Sequence, residues 1–393
     1  MKHILAFLFF SGGLLTGMAQ MKNTIRGRVV QGEKGEPVPG ASVFITNTSK
    51  GTVSDSSGSF ELANVPYGTY DLIVSSIGFE TQSYTYKAEQ LPLRLEIKLH
   101  PKVEELETVV VEPDEKNGWQ RWGKLFTDDF LGMNKAGRDC RIKNYTTLRF
   151  RYSRKRKLLR VLADEPLDIE NKALGYRIKY QLENFYLDFT SYKLVFYGYT
   201  LFSELDSRKG PTRRQLKNRE EAYNGSLVHF MKSLYHDSLA AEGFEVRRLV
   251  RRRNDEKERV KPIYRQQRAG TMDSTAYYER IMHQPDIIDD FGKTVLTADS
   301  LLTRTGVSTK SLFFTDYLFV EYKREEEDPD YLLYTHAGRR PYSSQRSNAF
   351  LPDALSITIE PTGNYYPPQS FMTLGYWAWN EKIGTLLPLD YKK

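Results

Sequence analysis

Between Thr24 and Leu99 apolar residues recur at alternate positions in short runs, each closed by Gly, Pro, Asn, Asp or Ser. Val43 and Ile45 share a face, as do Tyr70, Leu72 and Val74, and Leu93 to Leu99 alternates without exception. Such strands have one dry face and one wet face. Turn chemistry lies between them at Gly35, Pro37 to Gly40, Asp55 to Gly58 and Pro66 to Gly68. About seven short strands in so small a span predict a compact antiparallel β-sandwich. The period then changes. Trp119, Trp122, Phe126 and Phe130 lie on one face of a helix over Asn117 to Leu131, which Gly132 can end. Period two returns in Leu148-Phe150-Tyr152, Leu159-Val161-Ala163, Tyr176-Ile178-Tyr180-Leu182 and the apolar Leu194 to Phe202, predicting consecutive antiparallel strands. Arg213 to Glu242 is helical and interrupted at Asn224-Gly225, hence two helices; Leu227, Phe230, Met231, Leu234 and Tyr235 form the dry face of the second, and Gly243 suits its end. Phe244 to Val250, Tyr317 to Lys323, Tyr331 to Thr335 and Leu355 to Ile359 are further strand candidates, and Trp377 and Trp379 anchor the tail. The fold class expected is mainly β, a sandwich followed by a larger β-rich α+β domain with a few amphipathic helices.

Length and composition refine this outline. A chain of 393 residues accommodates two or three domains. Lys2 and His3, the apolar Ile4 to Gly17 and the small-residue exit Gly17-Met18-Ala19 have the form of a cleaved export signal, with Gln20 as the first mature residue. The expected division is 1–19 signal peptide, 20–112 sandwich, 113–118 linker and 119–393 second domain. The expected location is the periplasm, the outer membrane's surface or the exterior. No later run is apolar enough for a membrane-spanning helix in the mature chain. Cys140 is the single cysteine, so no intrachain disulfide forms; it is either a nucleophile or a small buried apolar residue. The formal charge of +7, or +6 without Lys2, suits contact with anionic surfaces and does not call for nucleic acid.

The stretches "GRVVQGEKGEPVPGASVFI", "GTVSDSSGSFEL" and "VPYGTYDLIVSSIGF" together resemble the carboxypeptidase-regulatory-like domain, a transthyretin-like sandwich, over Ile25 to about Leu99. Ser57 stands where that family often has Asp, which would loosen one turn. The resemblance implies a structural or interaction role and no peptidase activity. The next segment, Glu107 to Val111, resembles the one that follows this domain in TonB-dependent receptors and otherwise reads as a last strand and linker. "EPLDIENKALGYRIKY", "YNGSLVHFMKSLYHD" and "GYWAWNEKIGTLLPLDY" resemble the downstream half of exported bacterial proteins known only by their carboxypeptidase-like domain, which adds architecture and no mechanism.

The chemistry-bearing residues are few. A zinc carboxypeptidase needs His and Glu three apart; none of His3, His100, His229, His236, His283 and His336 has that neighbour, and HExxH is absent. GxSxG is absent, and Gly292-Lys293-Thr294 has only the tail of a phosphate loop, with Ile287 where its first Gly belongs. Ser226, His229, His236 and Asp237 are the best remaining cluster: His229 and His236 share a helical face and can hold a metal or activate Ser226, while Ser226 equally suits a helix cap. Asp128-Asp129, Asp289-Asp290 and Glu325 to Asp328 read as acid/base pairs, calcium ligands or solvated turns. No catalytic, cofactor-binding or metal residue is assigned, and no cofactor is expected. The expected function is a non-enzymatic binding or scaffold module of the cell envelope, with an envelope protein or glycan as partner. The alternatives are a hydrolase site in the second domain, or an adaptor to the TonB system through Glu107 to Val111. Arg247, Arg248, Arg251, Arg252, Arg253 and the cations up to Arg268, with Arg154 to Lys157, form the densest positive run. Through Arg247, Arg251, Arg252 and Arg253 it either docks on an anionic surface or is a solvated loop closing a long hairpin.

Overall fold

The computed structural model describes residues 23–102, 112–191, 193–266, 272–306, 308–335, 344–352 and 355–393. The export-signal residues and Glu107 to Val111 lie outside them. The first module has the seven strands expected: β1 (Thr24–Gln31), β2 (Ser42–Ile45), β3 (Gly51–Val53), β4 (Ser59–Ala63), β5 (Thr69–Ser75), β6 (Gln82–Lys87) and β7 (Leu93–Leu99). They form two sheets, β4-β1-β7 and β3-β2-β5-β6. One pair departs from the antiparallel expectation: β1 and β7 run parallel. The whole module intervenes between these two strands, supplying the long crossover that a parallel pair requires. Val43, Ile45, Tyr70, Leu72 and Val74 face inward with Ile25, Val29 and Phe60. Ser57 does not loosen its turn: Asp55 Oδ1 accepts from Ser57 N (2.8 Å), Ser57 Oγ (2.7 Å) and Ser59 N (2.9 Å).

The next unit comprises α1 (Gly118–Phe130), α2 (Lys135–Arg138), β8 (Cys140–Ile142), β9 (Leu148–Ser153), β10 (Leu158–Ala163), β11 (Leu167–Asn171), β12 (Tyr176–Asp188) and β13 (Lys193–Glu204). The sheet runs β8-β11-β12-β10-β9, with β13 also paired to β12. The aromatic face of α1 docks on this sheet. Phe126 and Phe130 are fully buried and meet Phe150, Phe185, Tyr180 and Phe196 edge-on. Cys140 is buried, and burial pushes its thiol up to about 12, so it packs as an apolar residue and offers no thiolate.

The remainder is built from α3 (Arg213–Tyr223), α4 (Leu227–Tyr235), α5 (Leu239–Glu242), β14 (Phe244–Arg253), α6 (Asp255–Gln266), α7 (Met272–Met282), β15 (Ile287–Val295), α8 (Ala298–Leu301), β16 (Leu302–Arg304), β17 (Lys310–Leu312), β18 (Tyr317–Glu326), α9 (Pro329–Tyr334), β19 (Ser344–Phe350), β20 (Ile357–Ile359), β21 (Tyr365–Tyr366), β22 (Met372–Gly375) and α10 (Tyr376–Asn380). One sheet is ordered β15-β14-β18-β19-β22 and another β16-β17-β20-β21. Phe230, Met231 and Leu234 of α4 pack between them with Val246, Val320, Ile357 and Trp377. Three expectations change here. Arg213 to Glu242 makes three helices, because Asp237 turns the chain at φ 54 before α5. Tyr331 to Tyr334 belong to α9, with Thr335 as its C-cap: Pro329 opens the helix and the Asp328 carboxylate accepts from Asp330 N at 2.8 Å. The basic run is a loop only in part: Arg247 to Arg253 lie in β14 and the cations from Lys257 to Arg265 ride on α6, which with α7 forms a helical hairpin between β14 and β15, whereas Arg154 to Lys157 form the exposed turn between β9 and β10 as expected.

The C-terminal residues return through the molecule. Ile383 and Leu387 enter the core beneath α1, and Leu389 enters that of the first module. Leu389 N donates to Asn47 O (2.7 Å), and Asp390 accepts from Ser49 N (3.0 Å) and Ser49 Oγ. A second tie joins Thr69 N to Glu360 Oε1 (2.5 Å) and Asn364 Nδ2 to Thr69 O (2.7 Å). Gly68 permits this approach, since a Cβ there would stand 2.4 Å from Glu360 Oε2.

Candidate functional site

The cluster around His229 is built by the start of α4. Ser226 is the N-cap: its Oγ accepts from His229 N at 3.1 Å, satisfying an otherwise unpaired first-turn donor. The His229 ring is buried, stacked on Tyr223 (4.7 Å between centroids) and edge-on to Phe244 and Tyr322. Gly225 N–H donates to Nδ1 at 3.1 Å, so that nitrogen is bare and the ring proton sits on Nε2, 3.3 Å from Glu242 Oε2. Burial lowers the pKa of His229, and Glu242 opposes the shift. Both ring nitrogens are thus engaged, and neither is placed to take a proton from Ser226. His236 and Asp237 are exposed beyond the end of α4, with His236 Nε2 3.3 Å from Pro361 O. The four residues are divided between the two ends of α4 and do not converge on one point. Among the described residues no group of three His, Cys, Asp or Glu side chains gathers as a metal would require.

The carboxylate runs are likewise dispersed. Asp128 pairs with Lys124 (2.6 Å), whereas burial raises the pKa of Asp129. Asp289 pairs with Arg251, Glu325 accepts from Asn224 (3.1 Å) and Gln345 (3.2 Å), and Asp328 caps α9. Gly292-Lys293-Thr294 lies inside β15, where a strand cannot cradle a phosphate.

The positive run divides into engaged and unengaged members. Arg247 pairs with Glu245 (2.7 Å) and Arg248 with Asp316 (2.5 Å). Arg251 is bidentate to Asp289 (2.8 and 2.8 Å), with its guanidinium over Tyr317. On α6, Lys257 pairs with Asp286, Arg259 with Glu256 and Lys261 with both Glu258 and Asp286. Arg252 and Arg253 are exposed and make no ion pair with any described residue. The proposed contact set of Arg247, Arg251, Arg252 and Arg253 therefore shrinks to its last two; Arg268 lies outside the described residues. Beside this pair runs β15, the outer strand of its sheet. Ile287, Phe291 and Val295 are exposed on one of its faces (47%, 48% and 44%), and Phe291 meets Phe319 edge-on at 5.0 Å. This stripe was missed in the sequence, although positions four apart in a strand share a side.

A family model described as the CarboxypepD_reg-like domain matches residues 25–111, so the first module is such a domain. A TonB-dependent receptor, P39 of Formosa agariphila, is 32% identical over 108 residues, which is 28% of this chain and 10% of the receptor. The chain therefore matches only about a tenth of that receptor's length. Among solved structures, a cohesin–X-dockerin complex from Acetivibrio cellulolyticus aligns with 20% of this chain and 58% of its own at 24% identity and TM-score 0.18. A Bacteroides uniformis protein described as carbohydrate-binding aligns with 47% and 80% at 12% identity and TM-score 0.16. Scores this low carry no argument about fold or function. No helix of the described residues is long and apolar enough to cross a membrane.

Proposed function

We propose that the protein is an exported, non-catalytic binding or scaffold module of the cell envelope, divided as 1–19 signal, 20–112 sandwich, 113–118 linker and 119–393 second domain. It contacts an anionic envelope surface or glycan through Arg252 and Arg253. The observation that carries this is the unneutralised Arg253, paired in register with Ile287 on the face that bears the exposed apolar stripe of β15, while the equally unneutralised Arg252 projects from the opposite face. Cations flanking apolar side chains favour an anionic surface, because charge attracts at a distance and burial of the stripe adds on contact. Co-sedimentation of the full chain with anionic and neutral vesicles across a salt series tests it. Binding to anionic vesicles is expected to weaken steeply with salt, since exposed charges are screened beyond about 8 Å at physiological ionic strength. It should be lost in the Arg252→Ser, Arg253→Ser double variant. Salt-independent binding, or a double variant that binds like the parent, overturns the proposal. The similarity to a TonB-dependent receptor supports a second role for Glu107 to Val111 as an adaptor to the TonB system. Cross-linking to TonB in cells, abolished by deleting residues 107–111, is the corresponding test.

A further inference from the structure

The start of α1 bounds a cavity of about 330 Å³, lined by Glu115, Lys116, Trp119, Gln120, Tyr145 and Phe150 among others. Gly118 brings the helix down onto the sheet there: a Cβ at this position would lie 2.8 Å from Phe150 Cβ. The Trp119 indole stacks on the Tyr145 ring, with centroids 4.7 Å apart and planes 27° apart. Tyr145 is nevertheless 41% exposed, and Trp119 is its sole aromatic contact among the described residues. Glu115 is held in place, accepting from Trp122 Nε1 at 2.9 Å and Arg121 Nη1 at 3.1 Å. The side chains of Lys116, Gln120 and Trp119 form no hydrogen bond or ion pair with any described residue. The cavity thus combines a braced aromatic ledge, a fixed carboxylate and three unused donor groups.

We propose that this cavity is a saccharide site that takes one pyranose unit, its C–H face on the outer side of Tyr145 and its hydroxyls among Glu115, Lys116 and Gln120. A sugar presents an apolar face bordered by hydroxyls, and an aromatic ring with polar groups at its rim complements both. The volume is near the lower limit for small-molecule sites, about 300–1,000 Å³, which suits a single ring and not a nucleotide. The site is on another sheet from Arg252 and Arg253, so each can fail without the other.

The test is saturation-transfer NMR and titration of the full chain with the methyl glycosides of glucose, galactose, mannose, N-acetylglucosamine and glucuronic acid. At least one should saturate, with a dissociation constant on the order of 1 mM, when titrated to about 50 mM. Tyr145→Ala should weaken it about tenfold or more, as truncation of an aromatic anchor does. The Arg252→Ser, Arg253→Ser variant should bind the sugar like the parent. Gln120→Ala, which removes an exposed side chain with no protein partner, should also weaken binding, and it decides the matter if Tyr145→Ala lowers the melting temperature. Absence of saturation with all five glycosides, or Gln120→Ala and folded Tyr145→Ala binding like the parent, overturns the site.

Discussion

His229 shows how a residue type that suggests catalysis is used as structure. Its two ring nitrogens join Gly225 N and Glu242, locking the α3–α4 corner to α5. Replacing it with Leu should cost about 2–4 kcal/mol, from the orphaned Gly225 N–H and lost packing, read in denaturant unfolding. The cost should depend on pH. Because burial holds the folded-state pKa below the ordinary value, the unfolded chain takes up the proton first as pH falls. The stabilisation is whole above about pH 6.5 and drains away as the pH drops through that value towards the folded-state pKa. Glu242 faces the ring and favours the cation, while Lys393 and Arg324 oppose it. The gap between parent and His229→Leu should therefore narrow from pH 8 to pH 5; a constant gap would exclude a buried neutral imidazole. Glu381 has the opposite sign. Desolvation pushes its carboxyl from 4.5 up to about 7, with Leu227 N–H at the start of α4 pulling it back. The folded chain then holds a proton that the unfolded chain has lost, so this contribution is complete below about 4.5 and disappears as pH rises through about 7. Glu381→Gln keeps an acceptor and removes the charge. It should stabilise by about 1–3 kcal/mol at pH 8 and be near neutral at pH 5 in paired thermal melts.

At the scale of elements, the helical hairpin α6–α7 hangs on Asn254, which is 2% exposed. Its Oδ1 accepts from Lys257 N (3.0 Å), and its Nδ2 donates to Gln284 Oε1 (3.0 Å) and Pro285 O (3.2 Å), closing the base of the hairpin. Asn254→Ala should cost about 1–2 kcal/mol of local stability, through the lost cap and unpaired carbonyls. Hydrogen exchange should accelerate in Asp255–Gln266 and Met272–Met282 while the β14–β18 ladder stays protected; uniform acceleration would show that the hairpin is not an independent unit. The same region marks the limit of what the sequence made legible. Strict alternation in Leu93–Leu99, and the aromatic face of α1, were readable because each element buries one side. The helix over Asp255–Gln266 was obscured by its charges and by Pro262 inside it, and its few buried contacts, Val260 among them, leave no apolar stripe. Tyr331 to Tyr334 have strand-forming composition, and only the Asp-Pro start betrays the helix. The spent state of His229 had no sequence signal, because Glu242 arrives from another helix and Gly225 N–H from a turn.

Across the whole molecule the question is whether the CarboxypepD_reg-like module is an independent bead or a clamped part of the larger body. Its own core argues for independence: every buried member except Leu389 comes from Ile25 to Leu99. We therefore expect residues 20–112 expressed alone to melt cooperatively with β-type circular dichroism. The C-terminal segment argues for clamping, since Leu389 and Asp390 bind Asn47 and Ser49, and Asn47 in turn accepts from Thr200 Oγ1 on β13. Leu389→Ala with Asp390→Ala removes the side-chain part of this tie, keeps the backbone bond from Leu389 N–H to Asn47 O, and leaves Leu387 in the neighbouring core. Loss of the buried leucine should cost about 2–5 kcal/mol and loss of the Asp390 hydrogen bonds about 1 kcal/mol. If the segment couples the units, that cost falls on the interface. Calorimetry should resolve two transitions where the parent shows one, and exchange should rise at the Asn47 and Phe202 amides, whose acceptors cross between Asn47–Thr48 and β13. The Glu360–Thr69 tie remains in this variant, so the module should stay docked at low temperature and separate on heating. A single transition lowered in temperature, with those amides still protected, would mean that the two bodies are one cooperative unit and that the module's fold depends on the chain that clasps it.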